Sequence, residues 1–97
     1  MLHLVFQSSI ETALFERMAT GDEAVFLENA VYRVLIKSHI SGLLTQQLSR
    51  SRFYVLSDDL KTRGLAPADL IKGIHVIDYS ELVELTLQNQ VIQSWCQ

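Results

Sequence analysis

The chain of 97 residues is 48% hydrophobic, with eight basic and eleven acidic side chains and a net charge of −3. That composition fits one globular domain over residues 1–97, excludes a disordered chain and disfavours direct nucleic-acid binding, which rests on neutralising phosphates. One cysteine, Cys96, excludes an internal disulfide and fits a cytoplasmic setting; no apolar run reaches the ~20 residues of a membrane span, and the opening residues lack the basic flank of a signal peptide.

Residues 2–6 read as a first strand. Ser8, with Glu11 three residues on, has capping-box spacing and starts a helix that carries Ala13, Leu14, Arg17 and Met18 and ends at Gly21. Residues 23–27 form a second strand, apolar throughout after Glu23, as a strand covered on both faces would be. A helix is expected to open at residues 28–32 with Asn29 as its cap, to break weakly at residues 38–41, and to resume from Leu43 to about Arg50. Residues 53–56 are a third strand. Ser57, Asp58 and Asp59 start a short helix closed by Gly64, and Pro67 suits the first turn of another.

Gly73 then turns the chain into a fourth strand, residues 74–77, read as buried and with Ile77 as a central core position. Asp78 and Glu81 have the spacing of a capping box, and Val83, Leu87 and Val91 recur at helical spacing behind it. Residues 91–95 are expected to form a short extended tail. Apolar strands alternating with helices imply an α/β fold: one small Rossmann-like domain with a mostly parallel four-to-five-stranded sheet and helices on both faces.

No catalytic constellation stands out. Neither nucleotide-binding glycine fingerprint follows a strand, and His3, His39 and His75 lack metal-ligand spacing, so no cofactor and no metal is expected. His3 and His75 lie within strands and read as structural groups with satisfied partners. Asp58 and Asp59, adjacent at a helix start, read as a cap and dipole complement rather than a paired-carboxylate site. Arg33 and Lys37, four apart on one helix face, with Arg50 and Arg52 further on, could form a basic patch and read as a solvated face. Cys96 could accept sulfur, but it has no activating cation or helix N-terminus nearby in sequence. Trp95 must bury a large ring, on the domain's own surface or on a partner.

Several stretches together resemble the sulfur-relay family of TusB and DsrH. They are the opening Met1-Leu2-His3, then Gly21-Asp22-Glu23 before an apolar strand, Asp59-Leu60 with Arg63-Gly64-Leu65, Ile77-Asp78-Tyr79 with Val83 and Leu85, and Trp95 near the end. The resemblance implies a Rossmann-like subunit that assembles with homologous TusC-like and TusD-like chains as a hetero-hexamer, without catalytic residues of its own. Such a complex takes persulfide sulfur from TusA and passes it to TusE, towards 2-thiolation of the tRNA wobble uridine. DsrH-like relatives carry a cysteine in the first helix, at a position that falls at about Leu14 here. The family's Asp-Gly after the second strand is Asn29-Ala30, and alanine adopts a left-handed turn poorly.

The functions that follow as expectations are a non-catalytic subunit of a cytoplasmic sulfurtransferase complex, a sulfur-carrying subunit (one using Cys96, which matches no family cysteine, or a DsrH-like one in sulfur oxidation), or a stand-alone binding domain on the same fold. For the first, Val91, Ile92 and Trp95 are the expected partner interface, with self-association possible when the chain is isolated.

Overall fold

A computed structural model describes residues 1–6 and 13–95. The Ser8–Glu11 cap and Cys96 lie outside the described residues. Five strands, β1 (Leu2–Val5), β2 (Glu23–Phe26), β3 (Arg52–Leu56), β4 (His75–Ile77) and β5 (Ile92–Trp95), form one sheet in the order β4-β3-β2-β1-β5. Every neighbouring pair is parallel. The α-helices among the described residues are α1 (Ala13–Arg17), α2 (Ser41–Gln47), α3 (Ser57–Thr62) and α4 (Tyr79–Gln88). This is the expected α/β architecture, and residues 92–95 join it as a strand.

Side-chain alternation along the strands divides the core in two. On one face Val5, Ala24, Phe26, Phe53 and Val55 pack against Leu14 and Phe15 of α1, Leu44 of α2, Leu60 of α3 and Ala30, Val31 and Val34. On the other, Leu2, Val25, Leu56 and Ile77 meet Leu85 and Leu82 of α4. The described parts of the first three crossovers therefore stack on one side, and among the described residues α4 is the helix that covers the other. One helix is about 10 Å across, whereas five strands at ~4.8 Å spacing span about twice that. Half of that face is left without a helix.

Three local readings are corrected. The stretch 74–77 is no buried strand: β4 is an edge, where His75 and Val76 are exposed and Ile77 alone is buried. Ile77 is thus a core residue at the margin of the sheet, and β2 is its centre. Residues 28–34 form a 3₁₀ helix rather than an α-helix, and its N-cap position is Leu27, with no side-chain cap. Arg33 and Lys37 consequently do not share an α-helical face. Lastly, Val83 and Leu87 do not face the core; Leu82 and Leu85 do.

The cap of α4 and the turn into β4 follow the sequence. Asp78 Oδ1 accepts from the Glu81 amide at 2.9 Å and Glu81 Oε1 accepts from the Asp78 amide at 3.2 Å, closing the capping box that starts α4. Gly73 has φ +106°, and a Cβ there would lie 2.9 Å from Leu48 Cδ1. The left-handed backbone favours glycine at the entry to β4, and any Cβ there would also make the Leu48 side chain shift.

Candidate functional site

His3 is fully buried on β1. Its Nε2 lies 3.0 Å from Asp22 Oδ2, and its Nδ1 lies 3.0 Å from the indole Nε1 of Trp95. An indole nitrogen can only donate, so Nδ1 accepts and the proton of the neutral ring sits on Nε2, directed at the carboxylate. Asp22 also accepts from the Ala19 amide at 3.0 Å and from the Met1 amino group at 3.2 Å. Burial raises the Asp22 carboxyl, but the hydrogen bonds from His3, Ala19 and Met1 outweigh it and hold it below the usual carboxylate value. All three side chains are occupied, and the network is a tie between β1, the turn before β2 and β5. The histidine is the satisfied structural group the sequence implies; Trp95, half-buried against the core, is held from within the chain.

That network sets an acid dependence. A carboxyl whose pKa is depressed by folding contributes stability that is present above its unfolded value of about 3.9 and is lost as pH falls through the folded value. Asp22→Asn should therefore be less stable than the parent near neutrality, with a shallower decline towards about pH 2 in melting temperature. Parallel acid limbs in the two proteins would show that Asp22 does not couple to folding.

A second cluster lies at the carboxyl end of β2. Glu28 has φ +52°, the one non-glycine residue in the left-handed region among the described residues. The resemblance puts the family's Asp-Gly turn at Asn29-Ala30, and the left-handed residue here is Glu28, just before it. The Glu28 amide donates to Asp59 Oδ2 at 2.8 Å, and Arg63 reaches both Asp59 Oδ1 at 3.6 Å and Asn29 Oδ1 at 3.1 Å. Asp59 thus fastens a neighbouring turn instead of capping its own helix, and no side chain caps α3.

On the face that α4 covers, a polar cleft lies over β3 and β4 beside the apolar cluster. Arg52, Tyr54, His75, Val76, Ile77 and Glu81 line this cleft of about 410 Å³. Tyr54 donates to Glu23 Oε2 at 2.6 Å, and its ring stacks on His75 with centroids 5.5 Å apart. Burial and the Glu23 carboxylate raise the Tyr54 hydroxyl, against a smaller opposing effect of Arg52, so it is a donor and not a base near neutrality. Among the described residues the lining of the cleft includes no cysteine, serine or lysine. Among the described residues no group of three or more His, Cys, Asp or Glu could hold a metal, and no helix is long and apolar enough to cross a membrane.

The outer side of α4 is apolar and exposed. Tyr79, Val83 and Leu87 are 59%, 54% and 80% exposed. At four-residue spacing they form one stripe on α4, turned away from Leu82 and Leu85. Parallel register sets Ile92 beside Leu2, on the same sheet face as α4, and Ile92 is 42% exposed. Leu4 and Phe6 of that face are half-buried. Val91 is exposed at the entry to β5. Of the expected interface residues, the structure leaves Val91 and Ile92 accessible and turns Trp95 inward. It adds Tyr79, Val83 and Leu87, whose spacing is in the sequence but is indistinguishable there from a core stripe.

The family described as DsrH like protein matches residues 5–92. No curated protein matches the chain in sequence. Solved structures share the fold. The ychN protein of E. coli is 15% identical, with a TM-score of 0.76 and 97% of each chain covered. MTH1491 of Methanobacterium thermoautotrophicum is 17% identical, with a TM-score of 0.73, 96% of this chain and 95% of that one being covered. Tm0979 of Thermotoga maritima, solved by solution NMR, is 18% identical, with a TM-score of 0.62 and coverages of 93% and 95%.

Proposed function

The chain belongs to the DsrH-like protein family, and we propose that within it the protein is a non-catalytic, TusB-type subunit of a cytoplasmic sulfur-relay complex that supports 2-thiolation of the tRNA wobble uridine. The observation that carries this reading is Leu14. It stands about where the resemblance places the first-helix cysteine of DsrH-like relatives, and it is a fully buried core residue. Persulfide relay moves a sulfane sulfur from one thiol to an attacking thiolate, and a leucine supplies none. Partners then carry the thiol chemistry, and this chain contributes surface. Its partners in this reading are TusC-like and TusD-like subunits, in a hetero-hexamer.

Co-expression with those two homologous chains tests the proposal. A complex of defined stoichiometry should form and pass sulfur from a persulfidated TusA-type donor to a TusE-type acceptor. Mass spectrometry under turnover should find no persulfide on this chain, and Cys96→Ser should leave transfer intact. Persulfide trapped on Cys96, with transfer lost in Cys96→Ser while the complex persists, would make the chain a sulfur carrier instead. A monomer that ignores both candidates would leave the stand-alone binding domain.

A further inference from the structure

We infer that His3 makes the order of β5 conditional on pH. While its ring is neutral it holds Trp95 against the sheet; protonation of the ring in mild acid lets Trp95 and the end of β5 go.

The geometry makes the two states exclusive. The Trp95 indole N–H, 3.0 Å from His3 Nδ1, donates and cannot accept. A protonated imidazole donates at both nitrogens. It still suits Asp22, whose Oδ2 lies 3.0 Å from Nε2 and gains a cationic partner. On its other side it sets one N–H against another, and turning the ring over changes nothing. His3 is fully buried, whereas Trp95 is half-buried at the end of its strand, so Trp95 is the group that moves. Little else anchors the side chains of β5. Ile92 and Ser94 are exposed and Gln93 is polar, which leaves Trp95 as the apolar residue of the strand packed on the core. β5 is an edge with backbone bonds to β1, among them the Phe6 amide to the Trp95 carbonyl at 2.9 Å. Once the indole is released, the end of the strand rests on those bonds.

The charges around the ring come from four places. The turn before β2 supplies Asp22, and behind it stands the Met1 amino group, 3.2 Å from Asp22 Oδ1. On α1, Glu16 is exposed and Arg17 donates to Gln93 Oε1 at 3.4 Å. After α2, Arg50 donates to Thr20 Oγ1 at 3.3 Å. Residues 92–95 carry no charge. The hydrogen bonds to Asp22 keep its carboxylate ionised in mild acid. A histidine ordinarily changes charge between pH 5 and 8. An α-amino group can do so too, but Met1 meets Asp22 and not the indole. The sign follows from linkage: the open form takes up the proton, so acid favours it. For one linked proton the open-to-closed ratio rises by at most about tenfold per pH unit.

The test uses the full chain and its one tryptophan. Between about pH 7.5 and 5 the emission maximum should move to longer wavelength in a single step. The indole N–H resonance should shift with the same midpoint, while far-ultraviolet ellipticity holds. His3→Asn sets a side-chain carbonyl near the place of Nδ1 and cannot titrate, so its emission maximum should stay flat over that interval. Should this variant not fold, the ring carbons of His3 in the wild-type chain must titrate with the midpoint of the indole. No step in the wild-type chain overturns the inference, and so does the same step in His3→Asn. A ring midpoint apart from that of the indole overturns it as well. Ellipticity lost together with the emission shift means acid unfolding of the whole domain and overturns a local device.

Discussion

Phe53→Ala should lower the free energy of unfolding by about 3–5 kcal/mol, a large share of the ~5–15 kcal/mol of a typical domain. Phe53 is fully buried on β3, next to the central strand. Its ring meets Phe15 of α1 edge-on at 6.2 Å and Phe26 of β2 at 6.2 Å, so it joins the sheet to its helical cover. Truncation forfeits the transfer energy of the ring and leaves a void that two other aromatic side chains cannot both fill. Urea unfolding in the cold, where a weakened protein remains folded enough to fit a baseline, is the measurement. A loss below about 1 kcal/mol would mean that the site collapses around alanine.

His3→Leu should cost about 2–4 kcal/mol, because it removes hydrogen bonds at both ring nitrogens and one of them involves a charged partner. The Trp95 indole N–H would lose its acceptor and Asp22 one of its donors. Trp95 is the chain's one tryptophan, so its emission reports directly on the tie, and a red shift at denaturant concentrations below the global transition is expected. An unchanged emission maximum together with a loss under about 0.5 kcal/mol would show that the His3 bonds do not hold β5 in place. Leucine fills similar space, which separates the lost bonds from lost volume.

Much of this fold is legible in the residues. The Asp78–Glu81 cap, the glycine turns at residues 64 and 73 and the uninterrupted apolar strands each have a local cause, and local causes are visible in a window of a few residues. Strand order has no such cause. Nothing in Ile74-His75-Val76-Ile77 says that it will lie at the margin of the sheet, and its apolar letters read as a buried strand. The helix of residues 28–34 failed for a related reason, since propensity does not separate a 3₁₀ from an α-helical turn. The site was legible only in part. Val91 and Ile92 emerge from their place after the last helix. Tyr79, Val83 and Leu87 were missed as surface because α4 carries two apolar stripes, and periodicity cannot tell which one meets the sheet. The partners of His3 lie 19 and 92 residues away, beyond any local pattern.

The pairing of β1 with β5 bears on how the protein folds. The first three crossovers each bring a new strand to the side of its predecessor, whereas β5 must find Leu2 across 90 residues, at Ile92. Contacts of such separation carry the largest loop-closure cost and slow the search for the native state. The four-stranded half can accordingly assemble first, with β1 as a bare edge whose unpaired backbone is a template for any other strand. Late arrival of β5 closes that edge, and the Trp95–His3 bond is the latch on its closure. A variant that loosens the latch would therefore show itself first in refolding yield at high protein concentration, before its melting temperature gave any warning.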